Sequence, residues 1–118
     1  EGWTILAGHH VLRTYHDKVN ENVVAPWLQA HGLEPDLWTN GHAHLLQFGV
    51  YGGVPALTSG ATAHPRPRPA CPPDCGDGQL WGTSEVGYAL VDMTPKRMVV
   101  TFKAITGEVL YTWEQTRP

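Results

Sequence analysis

No stretch of this 118-residue sequence reaches the ~18 consecutive apolar residues that a membrane-spanning helix needs, and no signal-peptide pattern opens it. Basic runs are equally scarce. Eight Lys/Arg stand against eleven Asp/Glu for a formal charge of −3, and Arg66 and Arg68 are the nearest approach to a basic cluster. Neither a nucleic-acid partner nor a membrane partner is expected from such a balance. Cysteine is limited to two residues, Cys71 and Cys75. A zinc knuckle needs further Cys or His nearby, and only His64 is close. The C-x3-C spacing leaves a local disulfide and two free thiols both open; the disulfide is the favoured reading, and it points to an oxidising compartment.

What is present suffices for one domain with a core of its own: the chain is 42% apolar and carries five tryptophans, so it is neither a peptide nor a disordered segment. Trp3 to Ala7 is a short apolar run stopped by Gly8 and read as a buried strand. From about Asn20 to His31, Val23, Val24, Trp27, Leu28 and Ala30 recur at helical spacing, with Asn20 as a cap, Pro26 as an irregularity and Gly32 as the stop. Asp36 to Thr39 reads as a second buried strand, turned by Asn40-Gly41. Strand, helix, strand is a crossover, which predicts parallel pairing and puts the loops after both strands at one sheet edge, where open α/β folds bind ligands. Residues 46–51, 55–59, 87–92, 98–103 and 109–113 read as strands of an antiparallel or mixed layer. Residues 61–79, with five prolines and both cysteines, read as a Pro-rich surface loop.

Four of the seven histidines fall at the mouths of the two predicted parallel strands: His9 and His10 after the first, His42 and His44 after the second. A lone histidine is more often a structural residue with ordinary hydrogen bonds. A Gly-His-His turn and a Gly-His-x-His turn at the same sheet edge, however, aim neutral imidazoles into one pocket, which is what a metal site requires. Three imidazoles suit a mononuclear zinc with an open fourth position; two metals need anionic bridging ligands as well. Asp36 opens its strand and lies ~20 Å from His42 at ~3.3 Å per residue, so only Asp17 is an acid close in sequence to a histidine motif.

The string Ala7-Gly8-His9-His10, then Asn40-Gly41-His42-Ala43-His44-Leu45-Leu46-Gln47, then Leu57-Thr58-Ser59-Gly60-Ala61 resembles the second half of a calcineurin-like metallophosphatase, most closely a purple, tartrate-resistant-type acid phosphatase. The tail resembles it too, from Gly82-Thr83-Ser84-Glu85 through Gly87-Tyr88-Ala89-Leu90-Val91 to Met98–Phe102. This resemblance implies an α/β fold, the carboxy-terminal half of a four-layer α/β/β/α sandwich with a mixed sheet, so that residues 1–118 form part of a single metallophosphoesterase domain whose amino-terminal half is absent. It implies two metal ions, Fe(III) plus a divalent Fe, Zn or Mn. His9 and His42 would hold the divalent metal and His44 the iron, with Asp and Asn ligands supplied by the missing half or by a partner chain. His16, and with it His10, would act on the phosphoryl or leaving group. His31 and His64 match no ligand and are expected to be a helix-end and an exposed loop histidine. Where the family carries Gly-His-Asp-His-Asn this chain has Ala43 and Leu45, and Val11 replaces a proline.

The implied function is hydrolysis of phosphate monoesters in a secreted or lysosome/vacuole-like compartment, the isolated chain being inactive. Two rivals stand beside it. One is a catalytically degenerate interaction domain, in keeping with Ala43 and Leu45. The other is a self-contained three-histidine zinc hydrolase.

Overall fold

A computed structural model describes residues 2–12 and 23–118. Strands β1 (Ile5–Ala7) and β2 (Leu37–Asn40) flank helix α1 (Val24–Ala30), and β3 (Leu46–Tyr51), β4 (Val54–Ser59) and β5 (Gln79–Thr83) complete a five-stranded sheet of order β1-β2-β4-β3-β5. β1 pairs parallel with β2 and β2 parallel with β4, whereas β3 runs antiparallel to both β4 and β5. The expected crossover and the mixed sheet are therefore present. A second, antiparallel sheet contains β6 (Gly87–Thr94), β7 (Arg97–Ala104) and β8 (Val109–Thr116).

Side-chain alternation divides the core in two. Leu37, Leu46, Phe48 and Leu57 point from the first sheet toward Met98, Val100 and Phe102 of β7, and together they form the cluster between the sheets. Trp38 and Ala56, next to Leu37 and Leu57 in sequence, and Tyr51 of β3 point the other way, toward Leu28 of α1 and Leu12. A strand covered on both faces reads as a continuous apolar run, and one covered on a single face alternates. β3 is buried at nearly every position, while β7 buries Met98, Val100, Phe102 and Ala104 and leaves the residues between them at least partly open. Phe48 lies 4.7 Å from Trp113, and Trp81 stacks on Tyr111 at 5.2 Å and 3°. The described residues thus supply three layers in the order helix, sheet, sheet.

Two sequence expectations are revised. The helix is described over seven residues; Pro26 falls in its first turn, where backbone N–H groups have no intrahelical partner, and so causes no irregularity. Gly32 ends it at φ 61°, and Leu33 donates its N–H to Leu28 O at 2.9 Å, the closing bond expected of a glycine stop. The proposed cap Asn20 lies outside the described residues. β5 carried no signal in the sequence, because Gln79, Gly82 and Thr83 give it a polar cast next to a proline-rich stretch. Residues 61–79 are largely exposed but pinned at both ends by buried Ala61 and Gln79, and in the middle by buried Cys71. Cys71 and Cys75 form the local disulfide, and Cys71 bridges to Gly82 of β5.

Candidate metal centre

β1, β2 and β4 run parallel, so their carboxy-terminal ends share one sheet edge. The loops that leave it are tied to each other through the backbone. Gly8 donates its N–H to Thr39 O at 3.0 Å, and Gly41 donates to His9 O at 3.3 Å. The indole N–H of Trp38 reaches His10 O at 3.1 Å. Gly8 makes room for the Trp38 ring, since a Cβ there would lie 2.6 Å from it. Gly60, which follows β4, packs against the second histidine loop, where a Cβ would meet Ala43 O at 2.3 Å, and its N–H is donated to Leu45 O at 3.0 Å.

These ties bring three imidazoles together. Ring nitrogens of His9, His10 and His42 all lie within 4.8 Å of one another, and His42 Nδ1 sits 3.0 Å from His9 Nε2. The ring centroids are separated by 5.0 Å for His9–His10, 4.9 Å for His9–His42 and 4.6 Å for His10–His42. His42 adopts φ 48°, a left-handed conformation that a residue with a Cβ adopts at a cost of order 1–3 kcal/mol, and such residues concentrate at functional sites. Both His9 and His10 are exposed and His42 is half-buried, so a ligand can reach the group from solvent.

His44 stands outside this trio. It occupies the centre of a tight turn in which Leu45 donates its N–H to Ala43 O at 2.7 Å, and its own carbonyl accepts from Arg66 N at 2.8 Å. With Leu45 buried, the loop is anchored on the core side immediately after His44. His16 and Asp17 lie outside the described residues. Asp36 is at the far end of β2, where it accepts from Thr4 N at 2.7 Å and pairs with Arg117. His31 closes α1, donating from Nδ1 to Trp27 O at 2.8 Å, and His64 is exposed on the loop. Among the described residues no carboxylate joins the histidine group.

Beneath the site runs a buried polar chain that the sequence reading missed. Asn40 donates to Leu57 O at 3.0 Å and accepts from the Thr58 hydroxyl at 2.8 Å. Gln47 donates to Thr58 Oγ1 at 3.2 Å, and Gln79 donates to Gln47 Oε1 at 3.4 Å. Its signal was available: four uncharged polar residues in otherwise apolar strands need partners.

The donor set is three neutral nitrogens, which suits a borderline divalent cation such as zinc. By itself it offers no anionic ligand to balance ferric charge.

No protein-family model and no curated protein sequence matches the chain. Solved structures do. One is GAP50 of Plasmodium, the anchor in the inner membrane complex, with TM-score 0.66 and 17% identity over 98% of this chain and 35% of that one. A predicted phosphoesterase of Streptococcus pneumoniae gives TM-score 0.53 and 21% identity over 80% of this chain and 46% of that one. Vps29 of Entamoeba histolytica, in a structure complexed with zinc, gives TM-score 0.53 and 16% identity over 97% of this chain and 55% of that one. The α/β architecture with a mixed sheet is thus similar to the folds of these solved structures. The chain spans 35–55% of their lengths.

Proposed function

We propose that this chain supplies the imidazole part of a metal-dependent phosphomonoesterase site. The observation that carries the reading is the convergence of His9, His10 and His42 at the carboxy-terminal edge of parallel strands, in a fold shared with a predicted phosphoesterase. His9 and His42 are the ligands of a divalent metal and His44 serves a second, ferric position. The carboxylate ligands of a two-metal centre come from an amino-terminal half or a partner chain, in keeping with the fraction of each neighbour that the chain spans. When bound, paired cations supply a nucleophile from water and neutralise phosphate oxygens. His16 then delivers a proton to the departing oxygen, a contribution of ~10²–10⁴-fold for a well-placed general acid.

The experiment is hydrolysis of p-nitrophenyl phosphate by the intact protein before and after chelation, with metal content measured alongside. Chelator-sensitive turnover that His42→Ala abolishes supports the reading. Stoichiometric metal with no turnover on any phosphomonoester overturns it.

A second reading, a catalytically degenerate interaction domain, has an observation of its own. Leu45 is buried where the resembling family carries a polar residue, and Ala43 offers no hydrogen bond to a neighbouring imidazole. One fold neighbour is an anchor protein. Metal-independent stability together with absent turnover would select this reading.

A further inference from the structure

The third imidazole of the trio has no place in the ligand set just proposed. We infer that His10 is a metal ligand, completing with His9 and His42 a three-nitrogen site for one borderline divalent cation. The inference deepens the proposed function, since it concerns the divalent position of the same site, yet it stands on geometry that does not depend on catalysis.

Tetrahedral ligands at ~2.05 Å from a zinc-like cation lie about 3.3 Å apart. The His9–His42 nitrogens are 3.0 Å apart, and no pair in the trio exceeds 4.8 Å, so the three nitrogens are already near the spacing of ligands to one cation. His10 is exposed, and it is held through its carbonyl by Trp38 rather than through its ring. The backbone, by contrast, is fixed: Gly41 N–H to His9 O couples the two loops, and His42 is held at φ 48°. A rigid frame with mobile rings is what closure around a cation needs.

Two consequences follow. Zn(II), Co(II), Ni(II) and Cu(II) bind, whereas Mg(II) and Ca(II), which require oxygen ligands, do not compete. An imidazole whose lone pair is donated to a cation also carries no proton at that nitrogen, so His10 leaves the proton-donor role to His16.

The test is Co(II) titration of the intact apo-protein, followed by its visible d–d absorption. His10→Ala and His10→Gln should each weaken binding by more than about 100-fold, since even loss of an outer hydrogen-bond partner costs 10–100-fold, and should lower the absorption intensity of the remaining site. His31→Ala, on the exposed end of α1, serves as the control and should bind as the parent does. Thermal unfolding of the metal-free variants checks that each folds. Wild-type Co(II) affinity and spectrum in both His10 variants, or displacement of Co(II) by equimolar Mg(II), overturns the inference. The outcomes separate from those above: a protein that hydrolyses no phosphomonoester but loses Co(II) on His10→Ala keeps this inference and loses the earlier reading. One that hydrolyses and keeps Co(II) does the reverse.

Discussion

The Thr58 hydroxyl donates to Asn40 Oδ1 at 2.8 Å, joining β4 to β2 one residue before the turn that presents His42. Because Gln47 also donates to Thr58 Oγ1 at 3.2 Å, one buried hydroxyl serves two partners. Thr58→Val keeps the shape and removes both bonds, leaving an Asn40 oxygen and a Gln47 N–H unsatisfied in the core. The expected loss is about 1–3 kcal/mol, read as a lower urea midpoint at constant m-value. A loss under ~0.5 kcal/mol would mean that water enters and substitutes for the hydroxyl.

Gly60 sets the height of the second histidine loop. A methyl group at this position would lie 2.3 Å from Ala43 O, and backbone cannot yield as a flexible side chain does, so Gly60→Ala must push residues 41–45 outward. Overpacking of this kind costs about 1–3 kcal/mol. Weaker Co(II) binding should accompany the loss of stability, because His42 moves with the loop. Destabilisation with unchanged metal affinity would show that the loop and the site are uncoupled.

Asp36 makes stability pH-dependent at the acid end. Burial opposes its charge, but the Thr4 N–H and the Arg117 guanidinium outweigh burial and hold its carboxyl below the ordinary value of 3.8. The unfolded chain therefore takes up the proton first. The contribution is complete above about pH 3.8 and is lost as pH falls through the lower folded value. Asp36→Asn should be less stable than the parent at pH 7, with the gap closing below pH 4. Parallel stability curves for the two proteins down to pH 2 would refute this.

The disulfide closes a short loop, its cysteines being four residues apart. Chain-entropy reasoning assigns such a loop about 2 kcal/mol. Reduction should lower stability by about that amount in equilibrium denaturation, and no change would mean that the Cys71–Gly82 backbone bonds already hold the loop.

The sheet and the location of the site were legible because they rest on local patterns. Ile5–Ala7 and Leu37–Asn40 are short apolar runs, and Gly8 and Gly41 mark where each ends. The histidines after them had to fall at one edge once the crossover was granted, and the structure puts His9 and His42 side by side. Which further imidazole joins them was not legible. His10 follows His9 directly and His44 lies two residues beyond His42, and the choice between them rests on the turn at Ala43–Leu45 and the burial of Leu45, tertiary facts that spacing does not encode. β5 escaped for a related reason: Gln79 and Gly82 make sense only beside Gln47, 32 residues away from Gln79.

His9 and His42 are separated by 33 positions in the chain, with an entire crossover between them. Closing so long a loop has to precede any contact between their rings, so the unfolded chain offers a cation no more of the trio at once than the adjacent His9 and His10. A cation therefore has little purchase on early folding events and binds only once the parallel pair is in register. Its effect should be felt on unfolding: bound metal acts as a latch that slows the opening of β1 from β2, leaving the rate of their first meeting unchanged.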